Sequence, residues 1–247
     1  VLKAFDSGRL FGVVHGDGPA TVLALHGWRR TSADFDRVLS GVSAVALDLP
    51  GFGASPEPPE PWGAADYAKA VAAAVGGAEF AAPLVVLGHS FGGRVALCLA
   101  ADRPDLVRAL VLTGVPLIRR PSAGPGPSPG FRLARWLNRR GVLGDERMEV
   151  LRRKHGSADY RAATGVLRDV FVRVVNESYE EQLGRVQCPV ELVWAEDDAE
   201  ARIDQATAAL ALLGSDRATL TRLPAGTGHL TPLTAPDALR AALERHL

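Results

Sequence analysis

Six short runs of branched and leucine-rich residues recur along the chain: "TVLAL" (21–25), "VSAVALDL" (42–49), "PLVVLG" (83–88), "VRALVLTG" (107–114), "PVELVWA" (189–195) and "RATLTRL" (217–223). They are too uniformly apolar to be half-exposed strands, so they predict strands buried on both faces, as parallel strands are. Between them lie "SADFDRVL", "GAADYAKAVAAAV", "GGRVALCLAADRP", "ARIDQATAALALL" and "APDALRAALERHL", with apolar residues at the three- and four-residue spacing of a helix face. Strand and helix in alternation mean an α/β fold, a mostly parallel sheet covered by helices. Only the first fifteen residues alternate in polarity, which suits an antiparallel hairpin at the N-terminus.

One stretch breaks this rhythm. Residues 116–185 contain no convincing buried strand, which divides the chain into a core part (1–115), an inserted helical cap (116–185) and a second core part (186–247). The insert opens with "RRPSAGPGPSPG" (119–130), where four prolines and three glycines predict a mobile loop rather than a helix. Polar helical stretches follow: "FRLARWLNRR", "DERMEVLRRKH" and "DYRAATGVLRDVFVRVVN". Residues 119–185 hold 14 basic and 8 acidic side chains, an excess that reads either as solvated helix faces or as an attraction for an anionic substrate.

The whole chain of 247 residues has 28 basic and 28 acidic side chains, so no global field favours nucleic acid or an anionic membrane. No uncharged apolar run approaches the roughly 18 residues of a membrane span. Val1 to Leu10 lacks a signal-like apolar core, which together predicts a cytoplasmic protein. Cys98 and Cys188 read as small buried hydrophobes, and no Cys or His spacing suggests a metal.

The chemistry concentrates in "VVLGHSFGGRVAL" (85–97). An apolar strand runs through Gly88, His89, Ser90, Phe91 and Gly92 straight into a helix, the setting that makes G-x-S-x-G a nucleophile elbow. A serine in a strained turn there presents its hydroxyl at the sheet edge, while the glycines allow strand and helix to approach. The alternative is a serine that only caps the helix.

A serine hydroxyl needs a base, most often histidine. His229, in the glycine-rich "PAGTGHL" after the last strand, sits where α/β sheets place their active sites. His89 would point away from its neighbour Ser90, His26 lies at a strand end in "HGW", and His15, His155 and His246 lack a suitable setting. An acid must then fix the histidine tautomer. The stretch "VWAEDDAEARID" offers Glu196, Asp197, Asp198 and Glu200, any of which could instead serve the following helix.

Five segments in this order resemble the α/β-hydrolase superfamily: "LHGW" (25–28), "LDLPGFGAS" (47–55), "LGHSFGG" (87–93), "VWAEDD" (193–198) and "GTGH" (226–229). The resemblance covers essentially the whole chain. It implies an eight-stranded sheet with the cap inserted after strand 6, Ser90 as nucleophile, His229 as base and Asp198 as acid. Asp197 and Glu200 remain its neighbouring competitors. It also implies an oxyanion hole from the backbone N–H groups of Trp28 and Phe91, and no cofactor or metal. Asp48 and Ser55 belong to the scaffold in this comparison, Arg94 supports the elbow helix, and Trp136 either packs the cap or lines the pocket. The chain departs from the usual family pattern at Ala195, where glycine is common, and in "DAEAR" after the acid. A serine at the elbow sets it apart from haloalkane dehalogenases and epoxide hydrolases, which carry aspartate there.

The expected activity is hydrolysis of a small carboxylic ester or thioester through an acyl-enzyme. The alternatives are cleavage of a carbon–carbon bond in a diketone-type substrate, which looks like the C–C hydrolase branch, and a hydrolase fold retained for ligand binding without catalysis.

Overall fold

The computed structural model describes residues 1–118, 129–144, 147–148, 150 and 158–247. Eight strands form one sheet: β1 (Leu2–Phe5), β2 (Leu10–His15), β3 (Ala20–Leu25), β4 (Ala44–Asp48), β5 (Phe80–His89), β6 (Val107–Thr113), β7 (Val190–Ala195) and β8 (Ala218–Leu223). Their order is β1-β2-β4-β3-β5-β6-β7-β8. The N-terminal hairpin is antiparallel, β2 joins β4 antiparallel, and every pairing from β4 through β3 to β8 is parallel. This matches the α/β expectation in strand number, direction and place of the hairpin.

The apolar strands pack helices on both faces, and alternate residues divide between them. On one face Leu23, Leu25, Val86, Leu112 and Trp194 join Tyr67 and Val71 of α1 (Ala64–Val75) and Val95 and Leu99 of α2 (Phe91–Asp102). On the other face the smaller Val22, Ala24, Ala44, Ala46 and Val85 join Phe35, Val38 and Leu39 and the C-terminal residues Leu239 and Leu243. The segment "SADFDRVL" is not the α-helix expected. It makes only a 3₁₀ turn at Ser32–Phe35, because the Ser32 N–H is drawn to Asp48 Oδ1 at 2.7 Å and Phe35 drops into the core.

Among the described residues between β6 and β7 there is no strand. The helices whose bounds lie among the described residues are α3 (Pro129–Arg139), α4 (Ala158–Ala162), α5 (Gly165–Val174) and α6 (Glu180–Arg185). The expected loop runs two residues too far, since Pro129 and Gly130 open α3, where a first-turn proline loses no intrahelical bond. Its remainder, 119–128, and most of the stretch "DERMEVLRRKH" lie outside the described residues. The single helix expected over 159–176 is broken at Gly165, whose φ of +52° no helix interior admits. After β7 and β8 come α7 (Ile203–Leu213), α8 (Thr231–Thr234) and α9 (Pro236–Glu244). Among the described residues no helix is long and apolar enough to cross a membrane.

Candidate active site

The corner between β5 and α2 is strained at one residue. Ser90 has φ 50° and ψ −114°, a left-handed backbone that non-glycine residues rarely adopt. Three contacts hold it there: the Ser90 N–H donates to Thr113 O at 3.0 Å, and the Ser90 carbonyl accepts from the N–H groups of Gly93 and Arg94. The glycines are demanded by space. A Cβ on Gly88 would come within 2.5 Å of Gly93 Cα, and one on Gly92 within 2.1 Å of the Leu25 carbonyl oxygen. Gly92 therefore serves the approach of α2 to β3 and not to the elbow's own strand.

The loops after β5, β7 and β8 bring three side chains into line at the C-terminal edge of the sheet. His229 Nε2 lies 3.1 Å from Ser90 Oγ, and His229 Nδ1 lies 2.8 Å from Asp198 Oδ2. Asp198 is almost fully buried, and its other oxygen accepts the N–H groups of Glu200 (2.9 Å) and Ala201 (2.8 Å). An acceptor on Nδ1 keeps the proton there and leaves the Nε2 lone pair for the serine hydroxyl. Burial opposes charge on His229, but the hydrogen bond and charge of Asp198, with Glu200 and Asp159 behind them, outweigh it and raise its pKa above the usual histidine value.

Of the other acids expected to compete, Asp197 turns away. Its two oxygens accept the N–H groups of Gly226 (2.7 Å) and Gly228 (2.9 Å), which fixes the loop that carries His229. Glu200 does reach the ring, with Oε2 3.3 Å from His229 Nε2. A feature without any sequence signal is Gly114, which backs the pair: a Cβ there would stand 3.1 Å from His229 Nδ1 and 3.2 Å from Asp198 Oδ2.

His26 and His89 brace the site from behind. The buried His26 ring contacts Gly27 O through Nδ1 at 2.8 Å and accepts the Leu49 N–H on Nε2 at 2.9 Å, while its carbonyl accepts the Gly92 N–H. His89 Nε2 donates to the His229 carbonyl at 2.9 Å. Burial, and then the neighbouring His229 charge, push the His89 pKa down to about 4, so its ring stays neutral. Its Nδ1 is buried and has no partner among the described residues. Gly27 is glycine because a Cβ would sit 2.9 Å from that nitrogen.

Trp28 and Phe91 flank the serine, and their N–H groups donate to no protein acceptor among the described residues. Trp28 also centres an aromatic wall, with ring centroids 5.0 Å from Phe52, 5.5 Å from Phe91 and 5.2 Å from Phe171 of α5. A pocket of about 290 Å³ opens onto Ser90, His229, Trp28 and Glu200. A larger depression of about 620 Å³ beside Trp62 and Pro56 contains none of these groups.

The remaining expected positions are structural. Asp48 accepts the Ser32 and Ala54 N–H groups, and Ser55 Oγ donates to the Asp48 carbonyl at 2.6 Å. The partly buried Arg94 donates to Val174 O at 2.9 Å and lies over the Tyr179 ring, tying α2 to α5. Trp136 is half exposed on α3 with Arg140 stacked on it, away from the pocket. Both cysteines are unpaired, Cys98 buried and Cys188 partly so. Of the three histidines set aside, His246 binds Glu191, His15 approaches Asp36, and His155 lies outside the described residues. Among the described residues no group of three His, Cys, Asp or Glu side chains is arranged to hold a metal.

Residues 22–242 match the sequence pattern of the Alpha/beta hydrolase family. The chain belongs to that family. The chain is 44% identical over 98 residues to Lipase LipV of Mycobacterium tuberculosis, a match covering 38% of this chain and 37% of that protein. It is 40% identical over 101 residues to a pimeloyl-(acyl-carrier protein) methyl ester esterase of Neisseria meningitidis, covering 39% of this chain and 37% of that one. Each match thus spans well under half the length of the curated relative. Among solved structures, a thermophilic esterase from Thermogutta terrifontis superposes with a TM-score of 0.68 at 20% identity, covering 99% of this chain and 96% of that one. At that identity the likeness shows the fold. The chain thus shares its family's fold and counts a lipase and a methyl ester esterase among its relatives.

Proposed function

We propose that the hydrolase cleaves a small carboxylic ester or thioester through an acyl-enzyme on Ser90. The observation that carries this reading is the unbroken chain from Ser90 Oγ through His229 to the buried Asp198, with the serine in a strained turn. His229 Nε2 takes the hydroxyl proton as Oγ attacks the carbonyl carbon, and Asp198 stabilises the imidazolium without taking the proton. The backbone N–H groups of Trp28 and Phe91 receive the negative charge on the carbonyl oxygen, each such donor being worth about 2.7–4 kcal/mol. The C–O or C–S bond breaks, and His229 returns the proton to the leaving alcohol or thiol. Water then repeats the sequence, releasing acid and restoring Ser90.

Residues 116–185 serve in this reading as a cap, with Phe171 of α5 laid against Trp28 and Arg94 fixing α5 at its end. The pocket of about 290 Å³ suits a small substrate. The relatives named as a lipase and a methyl ester esterase agree with ester chemistry.

The test is labelling with a fluorophosphonate followed by peptide mapping, with Ser90→Ala as control. An adduct on Ser90 in wild type and none in the variant is the expected result. A folded protein with no adduct would overturn the reading in favour of ligand binding without catalysis. A panel of esters, thioesters and vinylogous diketones then separates acyl transfer from carbon–carbon cleavage.

A further inference from the structure

We propose that Glu200 selects the leaving group, and that the alcohol half of the preferred ester is cationic or neutral and not anionic. This rests on the acyl-enzyme reading above. In that reaction the departing oxygen receives its proton from His229 Nε2, so it must come within hydrogen-bond reach of that atom. Glu200 Oε2 is already 3.3 Å from the same nitrogen. The group attached to the departing oxygen is therefore held within a few ångströms of a carboxylate.

The charges around that spot leave Glu200 uncompensated. Arg29, on the rim, faces Asp159 of α4 at 3.5 Å. Arg30 is gripped at two points by Asp34, through Nε at 2.7 Å and a terminal nitrogen at 2.5 Å. Asp198 is committed to His229 Nδ1 and to two backbone N–H groups. His89 is neutral. Among the described residues the one ionic partner of Glu200 is His229 itself, which is neutral when it acts as base. The rim thus presents two arginines, each matched by an acid, and one unmatched acid.

The backbone of Glu200 is fixed, because its N–H donates to Asp198 Oδ1 at 2.9 Å. Its side chain is 69% exposed, so it can follow a charged substituent as the substrate enters. The basic excess of residues 119–185 left an anionic substrate as one of two readings, but the described arginines that reach this pocket are Arg29 and Arg30, and both are paired. Partial exposure limits the size of the effect. A unit charge about 6 Å from the substituent, screened nearly as in water, changes reactivity by about threefold to tenfold.

The experiment uses three esters of one acyl group that differ in the alcohol: choline, its uncharged isostere 3,3-dimethylbutanol, and 2-hydroxyethanesulfonate. kcat/KM is measured for wild type, Glu200→Gln and Glu200→Arg at a pH where His229 is fully deprotonated. The expected wild-type order is cationic over neutral by about threefold to tenfold, with the anionic ester slowest. Glu200→Gln should lower the cationic-to-neutral ratio by the same threefold to tenfold, and Glu200→Arg should shift the ratios toward the anionic ester. Ratios cancel any general loss of activity that a structural role would cause. An unchanged ratio in Glu200→Gln, a wild-type preference for the anionic ester, or no turnover of the set by protein that labels at Ser90 would each overturn the inference. Absence of labelling at Ser90 would instead mark failure of the acyl-enzyme reading on which it rests.

Discussion

Asp197 and Asp198 hold the same loop by different parts: Asp198 binds the ring of His229, while Asp197 binds the backbone of Gly226 and Gly228 just before it. On the acyl-enzyme reading, the pair separates orientation of the base from placement of its loop. Asp198→Asn removes the anion and permits the wrong tautomer, so kcat should fall about 10³- to 10⁴-fold. Asp197→Asn keeps one acceptor oxygen, loses one of two backbone bonds and leaves the ring's partner in place. Its kcat/KM should fall by about tenfold or less, the scale of one neutral hydrogen bond. Steady-state kinetics on both variants checks the division, and equal losses would contradict it.

Gly114 gives a steric test of the same alignment. Its φ is +60°, and a Cβ would stand 3.1 Å from both Nδ1 and Cε1 of His229. Gly114→Ala must shift the imidazole or the β6 terminus by a few tenths of an ångström and strains the backbone by about 1–3 kcal/mol. A reaction that depends on a near-attack arrangement is sensitive to such a shift, so kcat should drop by about 10- to 100-fold. Circular dichroism should show the fold retained. Full activity in this variant would mean that His229 moves freely during catalysis.

These contrasts mark where the sequence was legible. The parallel strands were, because burial on both faces leaves short uninterrupted runs such as "PLVVLG", rich in Val and Leu and bounded by Pro and Gly. The elbow was, because a glycine-flanked serine between strand and helix has few other uses. The split between Asp197 and Asp198 was not, since two adjacent carboxylates look alike until the loop's direction is known. Gly114 carried no signal, because its reason lies in residues more than eighty positions away. The segment 32–39 misled in the other direction: Phe35, Val38 and Leu39 have helical spacing, yet their burial is achieved by a 3₁₀ turn pinned to Asp48.

On the acyl-enzyme reading, Glu200 also shifts the acid limb of the pH profile, after the larger effect of Asp198. A histidine base works neutral, so on that reading activity should rise with pH as His229 loses its proton. Its pKa is the outcome of burial, which lowers it, and of Asp198, Glu200 and Asp159, which raise it further. Neutral His89 contributes no opposing charge at working pH. Glu200→Gln removes one of the raising charges, so the acid limb of kcat/KM should move to lower pH. With a neutral ester as substrate the variant should then outperform wild type on the acid side of the profile. Superimposed profiles would show that Glu200 swings clear of the ring in solution.

Arg94 should matter for both stability and the pocket wall. It is partly buried, its guanidinium donates to the last carbonyl turn of α5 at Val174 O, and it lies over Tyr179. Arg94→Ala leaves that carbonyl without its donor and opens a cavity under α5, a loss of about 2–4 kcal/mol. Because α5 carries Phe171 against Trp28, loosening it should raise KM more than it lowers kcat. Denaturant unfolding and steady-state kinetics test the two halves, and a variant of wild-type stability would remove Arg94 from this role.

His89 predicts acid sensitivity of the fold. Its folded pKa of about 4 lies below the ordinary value of 6.5 because burial, and then the His229 charge, disfavour its protonated form. Above pH 6.5 the ring is neutral folded or unfolded and costs nothing. As pH falls from there towards 4, the unfolded chain takes up a proton that the folded protein refuses, so stability is lost across that window. The full difference amounts to about 3 kcal/mol. Buried His26 is shifted in the same direction, whereas His229, with its raised pKa, contributes with the opposite sign. His89→Gln retains a donor for the His229 carbonyl without a titrating ring. Urea unfolding between pH 7 and pH 4.5 should therefore show a shallower decline for the variant than for wild type. Parallel curves would mean that His89 accepts its proton in the folded state and that its pairing to His229 yields in acid.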